Sequence, residues 1–231
     1  MRRLRLLIAI IACACGGNAL AADASHPTVV ELFQAQGCSS CPPANANLMA
    51  LASRPNILAL SFGVTYWDQL GWKDTFAQPA FTARQWAYAH ALHHPDVFTP
   101  QVVVNGRRDG VGANPEEMRG LVAAADRGTG GPSLALSRRQ VTVGAGDAPA
   151  GGADVWLVRF DPRILQVPVQ RGENSGRTLP HRDVVRSLMR LGVWSGRPMA
   201  FRLPPPSDPA FSDAVLVQTR GAGPILAAAR D

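Results

Sequence analysis

Past residue 15 the chain has only two cysteines, Cys38 and Cys41, out of four in 231 residues. That scarcity excludes a disulfide framework, because two thiols three apart cannot staple distant loops. They form either a local redox pair or half of a metal site. Lysine is rarer still. Lys73 stands alone against 22 arginines, a bias that reflects genome composition and makes arginine weak evidence for bidentate anion recognition. No Lys/Arg cluster is interleaved with aromatics, so a formal charge of +6 marks no nucleic-acid surface. No apolar run of about 20 residues follows the first stretch, which leaves no transmembrane span. A Ser-His-Asp order, a P-loop and a G-x-G-x-x-G are missing too, so hydrolase and nucleotide readings carry little weight.

The N-terminus is read as an export signal. Arg2, Arg3 and Arg5 form a basic region, Leu6 to Ala14 an apolar one, and Ala19-Leu20-Ala21 a small-residue cleavage site, so residues 1–21 are expected to be a signal peptide and the product periplasmic or secreted. A second reading takes Ile10-Ile11-Ala12-Cys13 as a lipobox, with the protein anchored through Cys13. Cleavage after Ala21 removes three arginines and no acid, which takes the formal charge from +6 to +3.

From Thr28 to Arg127 strand-like and helix-like segments alternate. Val29 to Phe33 and Ile57 to Val64 read as strands, Cys41 to Ser53 and Phe81 to Leu92 as helices, and Gln101 to Asn105 as a strand closed by the Asn105-Gly106 turn. Asn114 is a helix cap, with Pro115 at the first position and Glu116 and Glu117 in the first turn. After Gly128-Thr129-Gly130-Gly131-Pro132 the pattern becomes short β-like runs separated by Gly, Pro and Asp. The expected fold is therefore an α/β domain over residues 26–130, in the order βαβ then αββα, followed by an all-β, sandwich-like domain over 131–231.

The chemistry is concentrated at Cys38-Ser39-Ser40-Cys41-Pro42-Pro43. A strand that delivers C-x-x-C onto a helix start places the first thiol near free N–H groups and the positive end of the helix dipole, which favours its thiolate. Cys38 is the candidate nucleophile and Cys41, one turn in and shielded, the resolving thiol. Pro42 and Pro43 fix the first turn, where a missing N–H costs little. Glu31 lies in the preceding strand. If it points under the helix start it can relay protons to Cys41; otherwise it pairs with an arginine or water. Thr99 and Pro100 precede a strand, and Trp67 and Asp68 belong to an aromatic, acidic loop; these are candidates for a substrate groove, with Pro100 shaping it. Trp72 is read as cover for the sheet. His90, His93 and His94 raise an alternative in which the dithiol and an imidazole hold Cu(I) or Zn. The loop from Arg171 to Arg177 reads as a turn with internal Arg-Glu pairing, or as a segment that packs back on the first half.

The run Val30-Glu31-Leu32-Phe33 through Gln36-Gly37-Cys38-Ser39-Ser40-Cys41-Pro42-Pro43-Ala44, with Tyr66-Trp67-Asp68, Gly71-Trp72-Lys73-Asp74, Phe81-Thr82-Ala83-Arg84-Gln85 and Arg171-Gly172-Glu173-Asn174-Ser175-Gly176, resembles the DUF1223 family of secreted proteins with a thioredoxin-like domain. In a thioredoxin fold, a proline placed like Pro100 is cis and faces the dithiol. The resemblance implies a fold more strongly than a reaction. The expected activity is thiol-disulfide exchange without a cofactor, with protein or small-molecule thiols and disulfides as partners. The competing reading is a binding or Cu/Zn-handling protein in which the two cysteines serve as a clamp.

Overall fold

Thr28–Gln34 is apolar enough that all seven residues are buried, and a strand buried on both faces needs a paired neighbour at each edge and cover above and below. The computed structural model, which describes residues 21–231, shows how this is met. The leader expected over residues 1–21, with Cys13, lies outside the described residues except for Ala21.

The elements in chain order are β1 (Thr28–Gln34), α1 (Cys41–Leu51), β2 (Ile57–Gly63), a 3-10 turn at Asp68–Leu70, α2 (Pro79–Ala91), β3 (Gln101–Val104), β4 (Arg108–Gly110) and α3 (Pro115–Ala124). The second half adds β5 (Leu134–Ser137), β6 (Gln140–Val143), β7 (Ala153–Asp161), β8 (Leu165–Pro168), β9 (Thr178–His181), β10 (Val184–Trp194), β11 (Met199–Arg202), β12 (Ser212–Thr219) and β13 (Ile225–Arg230). Eight strands form one mixed sheet in the order β13-β12-β7-β10-β2-β1-β3-β4, beside a three-stranded sheet β11-β6-β5 and a pair β8-β9.

This corrects the expected fold class. An α/β thioredoxin-like domain followed by a separate all-β sandwich is not what the chain forms. Among the described residues the protein is mostly β, with three short α-helices, and its main sheet runs through both halves. The join is parallel pairing of β10 with β2 at Val184 and Ser61, reinforced by the Ser61 N–H donating to Asp183 O at 2.9 Å. The physical reason lies in β2 itself. Its seven residues are all buried, so leaving it at an edge would strand a row of buried backbone groups without partners.

Side-chain alternation along β1 divides the core. Val29 and Phe33 face Phe62, Phe81 and Tyr88, in a cluster that continues into Val158, Phe160 and Val185 of the second half. Val30 and Leu32 face the opposite way, against Ala44 and Leu48 of α1 and Met118 of α3. The core therefore crosses residue 130. Gly131, at φ +100°, sits so close to Leu226 O that a Cβ there has no room, so this stretch is packed and is no slack tether. No helix among the described residues is long and apolar enough to cross a membrane.

Candidate functional site

α1 begins at Cys41, with Ser40 before it and Pro42 and Pro43 in its first turn. Cys38 and Cys41 are joined as a disulfide, with Cα atoms 5.5 Å apart, and the Cys41 N–H reaches Cys38 O at 3.3 Å. Two hydroxyls stand at the Cys38 sulfur: Ser40 Oγ at 3.3 Å and Thr99 Oγ1, which donates at 3.5 Å. Thr99 Oγ1 in turn accepts from Trp67 Nε1 at 2.8 Å. The Thr99-Pro100 peptide is cis, and Pro100 is buried.

Of the residues singled out in the sequence, Cys38, Cys41, Thr99, Pro100 and Trp67 thus come together. Asp68 does a different job nearby, accepting the Asp74 N–H at 3.0 Å and so shaping its loop. Asp74 in turn accepts the Gln36 N–H at 2.7 Å; burial first, and then the neighbouring Asp68 charge, pushes the Asp74 carboxyl above its ordinary range. Trp72 donates to Gln36 Oε1 at 2.9 Å, which ties the aromatic loop to the segment leading into the cysteines.

Glu31 does not point under the helix start. It shares a strand face with Val29 and Phe33, whereas α1 covers Val30 and Leu32. Its carboxylate pairs with Arg84, accepting from Nε at 2.7 Å and from Nη2 at 3.1 Å, and also accepts from the Tyr88 hydroxyl. Gln218 of β12 completes this buried node, with its Oε1 3.1 Å from Arg84 Nη2 and its Nε2 3.0 Å from Tyr88 Oη. Burial opposes the charge on Arg84, but the Glu31 carboxylate outweighs it and holds the guanidinium pKa above its ordinary value. Of the two readings of Glu31, the arginine pair is the one formed.

The histidines of the metal alternative go elsewhere. His94 Nε2 lies 2.8 Å from Asp109 Oδ2, and His90 packs beside Trp86. Among the described residues no group of three or more His, Cys, Asp and Glu is placed to hold a metal ion.

Neither cysteine is open to solvent, at 0% and 1% exposure, so the expected contrast between an accessible Cys38 and a shielded Cys41 is absent. The cover comes partly from a loop of the second half. Asn174, itself fully buried, donates from Nδ2 to Gln36 O at 2.9 Å and to Cys38 O at 2.8 Å. Arg177 Nη1 fixes the Asn174 amide by donating to Oδ1 at 2.7 Å. Glu173 accepts from both the Ser39 N–H at 2.9 Å and the Ser39 hydroxyl at 2.7 Å, which pulls its carboxyl below the usual range. The 171–177 loop therefore packs back on the dithiol, and Glu173 pairs with Ser39 where an internal arginine pair was expected.

Residue-by-residue reading missed the roles of Asn174, Gln34 and His181. For Asn174 a signal existed in the Arg171–Gly176 motif. His181 offered none, being a single histidine in a polar stretch. It is 3% exposed, and burial lowers its pKa to about 4, which keeps the imidazole neutral. Its Nδ1 lies 3.3 Å from Gln34 Nε2, and its Nε2 has no hydrogen-bond partner among the described residues.

A family described as "Protein of unknown function (DUF1223)" matches residues 29–218. None of the curated proteins compared with the chain matches it. A protein of Agrobacterium tumefaciens, solved by X-ray crystallography as a structural genomics target, is 31% identical with a TM-score of 0.73, over 88% of this chain and 92% of that one. HBP35 of Porphyromonas gingivalis shares the fold at a TM-score of 0.57 and 14% identity, over 90% of this chain and 75% of that one.

Proposed function

The chain belongs to the DUF1223 family, and from that premise we propose that it is an exported thiol-disulfide oxidoreductase working through Cys38 and Cys41. The observation that carries the reading is the pair of hydroxyls, Ser40 and Thr99, placed at the Cys38 sulfur beside the N-terminus of α1. Hydroxyl donors and the helix dipole stabilise a thiolate, which makes Cys38 the better leaving group on reduction and the nucleophile in the reduced state. The balanced exchange takes two thiols and the protein disulfide to one external disulfide and two protein thiols. In the oxidising direction Cys38 attacks an external disulfide, one external sulfur leaves as a thiolate, and Cys41 then attacks the Cys38 sulfur of the mixed disulfide, forming the Cys38–Cys41 bond and releasing the second external sulfur as a thiolate. Export rests on the leader read in residues 1–21, which puts the reaction in the periplasm or outside the cell.

Burial sets a condition on this chemistry. A protein-sized partner reaches Cys38 only when the cover of Trp67, Glu173 and Asn174 parts, whereas Ser39 and Ser40 are already exposed and form the contact surface. The test is to equilibrate the purified protein with dithiothreitol redox couples, alkylate, and weigh it. One two-electron transition that adds two alkyl groups, with a Cys41→Ala variant that accumulates mixed disulfides through Cys38, is the expected result. A disulfide that stays closed to dithiothreitol until the protein unfolds overturns the proposal, because a bond reducible only in the unfolded chain is a structural one.

A further inference from the structure

α2 carries Ala83 and Ala87 one turn apart on one face, with Arg84 beside them. All three line a cavity whose other wall includes Trp156 of β7 and Leu188 of β10. Methyl groups are too short to fill the gap, and the cavity keeps a volume of about 390 Å³. Small-molecule sites run from about 300 to about 1,000 Å³. At ~30 Å³ per water this one has room for about thirteen waters, or a ligand with about that many heavy atoms.

One buried charge faces this space. Arg84 uses Nε on Glu31 and Nη2 on Glu31, Tyr88 and Gln218, but Nη1, which bears two N–H groups, has no acceptor among the described residues. Unpaired polar atoms sealed from solvent occur at Tyr66, Gln85, Arg127 and His181, and Nη1 is not one of them. The exposed remnant of the Arg84 side chain, 4%, opens where the residue lines the cavity. The rings of Tyr88 and Trp156, 5.0 and 5.7 Å from the guanidinium carbon, hold the group in place. A guanidinium keeps its protons at any physiological pH, so Nη1 is always a donor. A donor fixed in an apolar cavity calls for an acceptor oxygen.

Charge decides which oxygen fits. Glu31 already neutralises Arg84 at 2.7 Å, and Asp154, also in the wall, is matched by Arg190 at 2.8 Å. Arg220, 3.8 Å from the same carboxylate, is 57% exposed and screened by water. A carboxylate entering here would shed its hydration with no buried cation left unmatched, whereas a neutral carbonyl gives up far less. We propose that the cavity binds a small uncharged carboxamide with an apolar body, whose carbonyl oxygen accepts from Arg84 Nη1 while the body lies against Trp156, Leu188 and the two alanines. The amide N–H groups suit Asp154, whose Oδ2 accepts no hydrogen bond among the described residues. Neither cysteine lines the cavity, so this binding site is independent of the exchange chemistry and goes beyond it.

The probes are benzamide, benzoate and benzylamine, which share one ring and differ in the head group, titrated into the full chain with its disulfide closed. Benzamide is expected to bind saturably, with a Kd in the low millimolar range or below for a ligand of its size, and at least ~10-fold tighter than either charged analogue, about 1.4 kcal/mol. The Arg84 Nε–H and Trp156 Nε1–H resonances are expected to shift along the same curve. Ala83→Phe fills the cavity from an exposed helix position and is expected to weaken benzamide at least ~10-fold. No saturation by ~10 mM, a charged analogue that binds as tightly as benzamide, resonances that do not move, or a folded Ala83→Phe with unchanged affinity each overturns the proposal. The ligand series and the resonance shifts use the wild type, so the test survives a variant that fails to fold.

Discussion

Replacing Asn174 by Ala tests whether the 171–177 loop clamps the dithiol. In the wild type the Asn174 amide is, among the described residues, the one donor to Gln36 O and the second donor to Cys38 O, which also receives the Cys41 N–H at 3.3 Å. A buried acceptor left without a donor costs about 1–3 kcal/mol, and a lost hydrogen bond to a group that keeps another partner costs about 1 kcal/mol. The sum is a loss of about 2–4 kcal/mol, read from urea unfolding with the disulfide intact and followed by tryptophan fluorescence. Asn174→Asp separates hydrogen bonding from packing. Its volume is the same, but it turns an oxygen toward two carbonyl oxygens, so it is expected to be at least as destabilised as the alanine variant. Both variants should also be reduced faster by dithiothreitol, since the segment bearing Cys38 loses its tie to the second half. An Asp variant within ~0.5 kcal/mol of wild type, about the scatter of neutral surface changes, refutes the clamp.

Arg84→Ala should cost about 3–5 kcal/mol, because it leaves the Glu31 carboxylate buried without its partner. Pairing it with Glu31→Gln should recover part of that loss, and additive behaviour in the double-mutant cycle counts against a coupled node. His181 sets a pH signature. Its folded pKa of about 4 lies below the ordinary 6.5, so the unfolded chain binds the extra proton and stability drains away as pH falls from about 6.5 to about 4, by about 3 kcal/mol. Asp183, raised to about 6 by burial, and Asp74, also raised by burial, act with the opposite sign over much of that window. The diagnostic is therefore the difference between wild type and His181→Gln. The variant should gain on the wild type by roughly that amount between pH 7 and pH 4, and a difference flat in pH contradicts a neutral buried imidazole.

The local elements were legible because their signals are local. Asn114 caps α3, its Oδ1 accepting from the Glu116 N–H at 2.7 Å and the Glu117 N–H at 3.4 Å, and the prolines after Cys41 fix the start of α1. The C-x-x-C pair also announced itself, and with it the Thr99-Pro100 neighbour. Pairing between distant strands was not legible. Nothing in Val184 to Trp194 says that its first residue lies beside Ser61, since an apolar run fits any sheet with room for it. β9 was missed because Pro180 interrupts it, and proline is tolerated in such a short two-stranded pair while arguing against a strand in sequence. The side taken by Glu31 depended on which face α1 covers. The alternation along β1 was readable, but the placement of the helix above it was not.

The single registered pair between β2 and β10 also bears on the order in which the chain comes together. β1 and β2 meet across a short stretch of sequence that contains only α1, but Val184 reaches Ser61 by closing a loop of 123 residues, 184 less 61. The entropy of closing a loop grows with its length, and distant pairings are slow to be rewarded, so the contacts of β1, α1 and β2 form ahead of the seam. The 171–177 clamp lies on the late side of that division. In a newly made chain Cys38 and Cys41 are therefore brought together at the start of α1 while still uncovered, and oxidation in that interval meets no steric barrier. Once β10 has docked, the same pair lies behind Asn174 and Glu173, and any later exchange has to part that cover first.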